Sequence, residues 1–187
     1  MTSRIQICSN ALLMLGAQTI NDFDEGSDRS KLAANLYPMT VEDVLRAHPW
    51  NCAVKRVVLS PDQAAPAFGY AYRFSLPSDW LRTLSVGEPG RETDYRSEGR
   101  KLLADVRVLK LRYVFLNDRE ETWDAALANV VTMAMAWRMA YAITQSASVE
   151  QVRFGVYENA LKRAKAVDGQ DDPPETLGDF PLFASRY

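Results

Sequence analysis

The chain of 187 residues is long enough to bury one sizeable hydrophobic core, which predicts one domain, with or without an inserted lobe. Hydrophobic residues make up 47% of it and charged residues 25%, a balance typical of globular rather than disordered proteins. The formal net charge of −2 excludes a general basic field that would hold nucleic acid or an anionic membrane.

The N-terminal residues predict a first helix over residues 3–15. Ile5, Cys8, Leu12 and Leu15 would share one face, and Gly16 is a suitable stop. The segment is basic and then apolar, as signal peptides are, but polar residues interrupt its apolar run and no clear cleavage site follows. We therefore expect it to be part of the folded protein, which is made in the cytosol.

The two cysteines, Cys8 and Cys52, both lie in apolar stretches of the sequence. Apolar surroundings favour burial, and a reducing compartment keeps buried thiols unpaired. We expect two buried, reduced thiols rather than a disulfide.

Acidic residues alternate along the linker that follows the first helix, at residues 22–28. Alternating acids are typical of a calcium loop, in which oxygen ligands converge on one ion. The later bidentate glutamate is missing, however, and Gly26 comes one position too early. We predict a solvated turn without a metal.

A second helix is predicted from a serine cap at Ser27 or Ser30 to about His48. Pro38 lies within it and removes one backbone donor, so a kink or a brief break is expected. The helix should end at His48, because a residue before proline is pushed out of the helical conformation.

His48, Pro49 and Trp50 are predicted to form a structural hinge between this helix and the strands that follow. The large ring of Trp50 comes directly after a helix-ending proline, where it can pack two elements together. His48 is the only histidine of the chain, and we interpret it as a packing or capping residue rather than a catalytic one.

From Asn51 the hydrophobic period changes from helical to two, which predicts a small antiparallel β lobe over residues 51–116, placed between helices. Turns are expected at Pro77-Ser78-Asp79 and at residues 87–90. The predicted strands lie at residues 51–59, 70–76 and 80–86, near Tyr95, at residues 101–104 and at residues 106–116.

Residues 122–144 form the most apolar stretch and predict a long core helix capped by Thr122. Two adjacent stripes at helical spacing would be buried: Trp123, Leu127, Val130, Ala134, Trp137 and Tyr141, and beside them Ala126, Met133, Ala140 and Ile143. A membrane span is the alternative, but Asp124 and Arg138 within so short a segment disfavour it.

A last helix is predicted from a capping-box pair, Ser148 and Gln151, to about Asp168. The residues expected to be buried on it are Val152, Val156 and Leu161. Three basic residues near its end, Lys162, Arg163 and Lys165, complement the helix dipole, which is a sufficient structural reason for them. A DNA-binding patch is the alternative interpretation.

Residues 170–187 are predicted to form an extended C-terminal docking tail. Adjacent prolines and several acids make its first part a stiff, solvated spacer. Its far end is apolar and should anchor on a partner through Phe180, Pro181, Leu182, Phe183 and Tyr187.

The sequence contains no motif of a nucleophile elbow, a phosphate-binding loop, a dinucleotide fold or a zinc site. We therefore predict no catalytic, cofactor-binding or metal-binding residue. An interaction protein is favoured over an enzyme.

Five segments carry a family resemblance through their order and spacing: residues 11–16 (ALLMLG), 48–53 (HPWNCA), 72–82 (YRFSLPSDWLR), 111–114 (LRYV) and 157–168. Together they resemble the tail tubular protein A family of short-tailed phages, the head-to-tail adaptors between the portal and the tail nozzle. Cys52 departs from the aromatic residue that is more usual at its position.

The resemblance implies a structural protein of the virion neck, assembled in the host cytoplasm as a dodecameric ring. Portal and nozzle proteins would be its partners, and DNA would pass through its channel without specific binding or any membrane contact. The tail would dock on the portal or on a neighbouring subunit. The fold expected is α+β: a helical bundle body (residues 1–50 and 117–169) with an inserted β lobe (residues 51–116) and the extended tail.

Two other functions stay open at the level of sequence. One is an enzyme whose site is built from undistinguished polar residues, which a deep polar pocket holding His48 or Arg138 would favour. The other is a small helical regulatory module that binds a ligand or a peptide, which a stable monomer would favour.

Overall fold

A computed structural model describes residues 3–171, which fold into four α-helices and two small antiparallel β-sheets. The protein is therefore α+β, as predicted, with the strands between the second and third helices. The helices are α1 (Arg4–Met14), α2 (Asp28–Ala47), α3 (Ala125–Thr144) and α4 (Ala147–Asp168).

Serine side chains cap the first two helices, as predicted for the second. The Ser3 hydroxyl accepts the Gln6 backbone N–H at 3.2 Å, and the Ser27 hydroxyl accepts that of Ser30 at 3.1 Å, so Ser27 is the cap of α2. α2 continues through Pro38 without interruption, so the expected brief break is wrong.

The predicted caps of the last two helices are wrong. Thr122 belongs to a separate 3-10 turn, and α3 is capped instead by Asp124, which accepts the Leu127 N–H at 2.6 Å. α3 ends at Gln145, which adopts the left-handed conformation with φ of 54°. The next residue, Ser146, then caps α4 in place of Ser148, because the two helices are joined without a longer loop.

The strands form two sheets with the orders β1-β7-β3-β4 and β2-β6-β5, and every pairing is antiparallel. Residues 51–53, predicted as strand, form a 3-10 turn that precedes β1. The strands are β1 (Val54–Leu59), β2 (Tyr72–Ser75), β3 (Trp80–Glu88), β4 (Arg91–Glu92), β5 (Arg96–Glu98), β6 (Lys101–Ala104) and β7 (Leu109–Phe115).

Apolar side chains collect in two cores. The helical core combines residues of all four helices with Trp50, Leu81 and Val114, so the first sheet covers the helices with one face. The lobe core lies between the two sheets and contains Phe74, Leu76, Val86, Leu102, Ala104, Leu109, Leu111 and Tyr113. Alternation along β7 explains the division, because neighbouring residues point to opposite faces.

α3 is the centre of the helical core. By length and composition it could also cross a membrane, but 56% of its apolar window is buried inside the protein. The predicted stripe holds from Trp123 to Ala134, whereas Trp137 is half-buried and Tyr141 is 51% exposed. Met135 and Met139 are fully buried instead, because α1 and α2 cover that side of the helix.

Several apolar side chains of α4 are exposed to solvent. Val152 is 65% exposed and Val156 is 37% exposed, so the prediction that they are buried is wrong. α4 packs mainly on α3, and Trp137 of α3 stacks on Tyr157 with their ring centroids 5.5 Å apart. A helix that rests on one neighbour buries a narrow stripe and leaves the other positions in solvent.

Gly87 is required by the hairpin that connects β3 and β4. Its φ is 107°, and a Cβ atom there would lie 2.6 Å from the Arg91 carbonyl oxygen. We expect Gly87→Ala to lower the free energy of unfolding by about 1–3 kcal/mol, measured by urea denaturation. Gly90→Ala is the matched control, since Gly90 also has a positive φ but open space around it. Equal losses in the two variants would show that the close contact contributes nothing.

Candidate functional site

The predicted hinge is a tightly packed junction between the helices and the β lobe. Trp50 is fully buried in the helical core, and its indole N–H donates to the Val44 carbonyl oxygen at 2.9 Å. His48 lies edge-on to the Trp50 ring with centroids 4.8 Å apart. The chain leaves α2 at Pro49 and turns into β1 around this indole ring.

Asp168, the last residue of α4, closes the junction from the other side. One carboxylate oxygen lies 3.0 Å from His48 Nε2, and the other accepts the Asn51 backbone N–H at 3.1 Å. The Asn51 side-chain amide donates in turn to the Asp168 carbonyl oxygen at 3.0 Å. Three hydrogen bonds thus tie the end of α4 to the junction; we call His48, Asn51 and Asp168 the junction clamp.

The sequence interpretation missed Asp168 and Asn51 as members of this cluster. A signal was present, because an acid at the last position of a helix is disfavoured by the helix dipole. Such a residue needs a specific partner, and Asp168 is only 6% exposed. The partners lie more than 100 residues away in the chain, so their identity does not follow from local pattern.

Both residues considered for an enzyme site are paired with acids. His48 is engaged by Asp168, and the Arg138 guanidinium pairs with the Asp43 carboxylate. Within residues 3–171, no group of three or more His, Cys, Asp and Glu residues could hold a metal ion. In the acidic turn after α1, Glu25 accepts hydrogen bonds from the backbone of Asn21 and the hydroxyl of Ser27.

A polar depression of about 460 Å³ lies where the β lobe meets the loop before α3. Its lining includes two acids and two bases: Asp79, Asp118, Lys55 and Arg119. Lys55 Nζ lies 2.7 Å from Asp79, and the Tyr113 hydroxyl donates to Asp79 at 3.0 Å. Burial alone would raise the pKa of Asp79, but these two donors outweigh it and lower that pKa. The charges are balanced, so the depression does not favour a ligand of either sign.

Both thiols are unpaired; Cys8 is buried and Cys52 is half-buried. Burial raises the pKa of Cys8 to about 12 and that of Cys52 to about 11. The thiolate is the reactive form, so we expect iodoacetamide at pH 8 to label the folded protein far more slowly than the urea-unfolded protein, with Cys8 the slower site. Mass spectrometry of timed samples measures both rates. Equal rates in the folded and unfolded states would contradict this expectation.

The basic cluster near the end of α4 faces solvent. Lys162 and Arg163 are exposed, and Lys165 is half-buried in the last helical turn. A base in that turn is stabilised by the helix dipole, which is a sufficient structural role.

An open groove of about 560 Å³ lies between α1 and the first half of α3. We call it the α1–α3 groove. Its apolar lining is Ile7, Leu13, Met14, Ala125 and Ala128. Its polar lining is Gln6, Asn10, Asn129 and Thr132. No side chain of the lining is charged, and Leu13 is 57% exposed at its edge. Such a surface suits an uncharged protein segment with an apolar side chain.

The predicted docking residues of the tail, Phe180, Pro181, Leu182, Phe183 and Tyr187, lie outside the described residues. Their role stays a prediction. The described residues form an α+β protein in which Asp168, buried at the centre of the junction clamp, ties the end of α4 to the start of the β lobe.

No protein-family model and no curated protein matches this chain.

Proposed function

We propose that the chain is a head-to-tail adaptor of a short-tailed phage, a subunit of a ring between the portal and the tail nozzle. The observation that carries the proposal is the mutual contact of the segments that resemble the family. Residues 48–53 and 157–168 meet in the junction clamp. Residues 72–82 and 111–114 meet through the bond between Asp79 and Tyr113.

A ring subunit needs a rigid body and exposed surfaces for its neighbours, and the described residues provide both. An adaptor connects two other rings and keeps them aligned, so its subunits must not deform and must bind their neighbours. The clamp holds the body and the lobe together, and the exposed apolar side chains of α1 and α4 provide surface for neighbours. A contact between two different faces of identical subunits generates a ring when the rotation closes.

The tail belongs to the same proposal. Residues 176–187 follow an acidic spacer and carry the apolar anchors, which we propose to dock on the portal. Deleting them should leave the melting curve nearly unchanged and abolish attachment to portal-bearing heads. A truncated protein that joins heads normally would refute the docking role of the tail.

DNA is expected to pass the ring without specific binding. The net charge is −2, and the exposed bases of α4 are few. We expect the isolated protein to bind duplex DNA no tighter than about 1 µM at physiological salt, measured by fluorescence anisotropy. Tight binding that falls steeply with salt, and that is lost in Lys162→Glu/Arg163→Glu, would instead assign this cluster to DNA.

Electron microscopy of negatively stained samples tests the adaptor function. The protein should form rings when mixed with purified portal, whether or not it forms them alone. A protein that stays monomeric in every mixture, and that binds a peptide or small ligand in the α1–α3 groove, would favour the regulatory module instead.

A further inference from the structure

The loop that joins β1 to β2 presents one large aromatic side chain to solvent. Phe68 is 89% exposed. The ten residues from Gln63 to Tyr72 (QAAPAFGYAY) contain no acid and no base, although charged residues make up 25% of the chain. We call residues 60–71 the Phe68 loop.

The Phe68 loop is fixed at both ends. At its start, the Asp62 N–H donates to the Arg73 carbonyl oxygen at 2.7 Å, and the Asp62 carboxylate accepts from Lys101 at 2.7 Å and from Ser75 at 2.8 Å. At its end, the Ala71 N–H donates to Asp105 at 2.7 Å. These bonds fix the two ends of the loop before any partner arrives, which reduces the ordering entropy that binding costs.

The hydrogen bonds to Asp62 also alter its titration. The Lys101 ammonium and the Ser75 hydroxyl lower the pKa of this carboxyl group, so it stays ionised and paired near neutral pH.

Among residues 3–171, Phe68 belongs to neither apolar core. The loop leads into β2, whose sheet packs in the lobe core, and no strand of that sheet contributes to the helical core. Covering this ring with a partner would be favourable, because burying an aromatic side chain removes about 150–250 Å² of surface from water.

We propose that the Phe68 loop of one subunit inserts into the α1–α3 groove of the next copy of this chain. The inference rests on the proposed ring and names its subunit contact. The two surfaces match in character: a loop fixed at both ends, whose residues 63–71 carry no charge and one aromatic anchor, and a groove of about 560 Å³ lined by uncharged side chains.

The polar rim of the groove suits a loop in particular. The amides of Gln6, Asn10 and Asn129 offer both donors and acceptors, which can satisfy the backbone groups that an inserted loop brings with it. A charged segment would lose its hydration there without gaining a counter-charge.

The geometry of this contact is head-to-tail. The loop lies on the β lobe and the groove lies on the helical body. Each copy therefore inserts its loop into one neighbour and receives the loop of another neighbour in its groove. Contacts of this kind propagate from copy to copy and give a ring when the rotation between copies closes, whereas a contact between identical surfaces would stop at a dimer. DNA is a poorer occupant for the loop, since no Lys or Arg lies within residues 63–72 to contact phosphate.

Cysteine cross-linking with purified full-length protein and portal tests the contact. A double variant with Ala67→Cys, an exposed position that leaves the Phe68 anchor in place, and Leu13→Cys should give a ladder of oxidised multimers under ring-forming conditions. Each single variant should stop at dimers. Val108→Cys with Leu13→Cys is the matched control, because Val108 is also an exposed apolar residue of the β lobe, and it should give no ladder.

Assembly itself supplies the second readout. Phe68→Ala should raise the concentration needed for half-maximal ring formation at least about tenfold, while Val108→Ala should leave it unchanged. Phe68→Glu should abolish assembly, and adding Asn129→Lys in the groove should restore part of it.

The outcomes separate the contact from the proposed function. Rings that form normally with Phe68→Ala, or that give no ladder, overturn this contact and leave the adaptor function standing. A complete absence of rings in the presence of portal overturns both. Binding of the monomer to duplex DNA or to anionic vesicles that is lost with Phe68→Ala also overturns the contact.

Discussion

Trp50→Ala is expected to lower the free energy of unfolding by about 3–5 kcal/mol, the range found for large aromatic side chains removed from a core. Trp50 is fully buried and contacts the helices from the point where the β lobe begins. Its loss leaves a cavity at the junction and deprives the Val44 carbonyl oxygen of its donor. Urea denaturation followed by circular dichroism measures the change.

Two further substitutions separate packing from hydrogen bonding at this position. Trp50→Phe keeps much of the ring and should cost less than Trp50→Ala, although it also removes the N–H donor. Val58→Ala changes an apolar side chain that is 62% exposed and should stay within about 0.5 kcal/mol of the parent protein. An unchanged denaturation midpoint in Trp50→Ala would contradict the structural role of the hinge.

Asp168→Ala is the second large effect expected. The substitution removes the buried Asp168 carboxylate and leaves the Asn51 N–H and the half-buried His48 ring nitrogen without their acceptor. A hydrogen bond to a charged group contributes about 1.5–3 kcal/mol, and because these two are only partly buried we expect a total loss of about 2–4 kcal/mol in the free energy of unfolding. The same urea titration measures it.

Asp168→Asn is the matched control, since it keeps the side-chain size and one acceptor oxygen and should cost less. A double-mutant cycle with His48→Ala isolates the coupling between the two side chains, which should be favourable and lie within the range of about 0.5–3 kcal/mol for contacting residues. Additive losses in the two single variants would mean that the junction clamp does not act as a unit.

The fold class follows from periodicity because most of the chain keeps a clear pattern. Alternation along Leu109, Leu111 and Tyr113 predicts a strand with one buried face, and those residues do fill the lobe core. The apolar density of residues 122–144 predicts the central helix, and α3 does lie in the middle of the core. Both signals extend over several turns or residue pairs, so single exceptions do not obscure them.

Helix ends and partial burial are less predictable. Thr122 and Asp124 are both good caps, and only the 3-10 turn at Glu120–Thr122 selects the second. Val152 and Val156 read as buried because they are apolar, whereas α4 has α3 as its main neighbour and leaves them outside. The number of neighbours of a helix is a tertiary property that its own sequence does not contain.

Surfaces for partners are the hardest part to predict. The α1–α3 groove combines two helices separated by more than 100 residues, and its lack of charge becomes visible only when they are side by side. Phe68 sits in a stretch rich in alanine and proline, and its sequence alone does not distinguish an exposed loop from a weak strand. The fixed base of the loop depends on Lys101 and Asp105, which come from a later part of the chain.

The most direct test of the adaptor function is a cryo-electron microscopy reconstruction of the virion neck, made without imposed symmetry. The account predicts a closed ring of identical copies of this chain between portal and nozzle, with each β lobe against the helical body of its neighbour. A neck that contains one or two copies, or none, would contradict it.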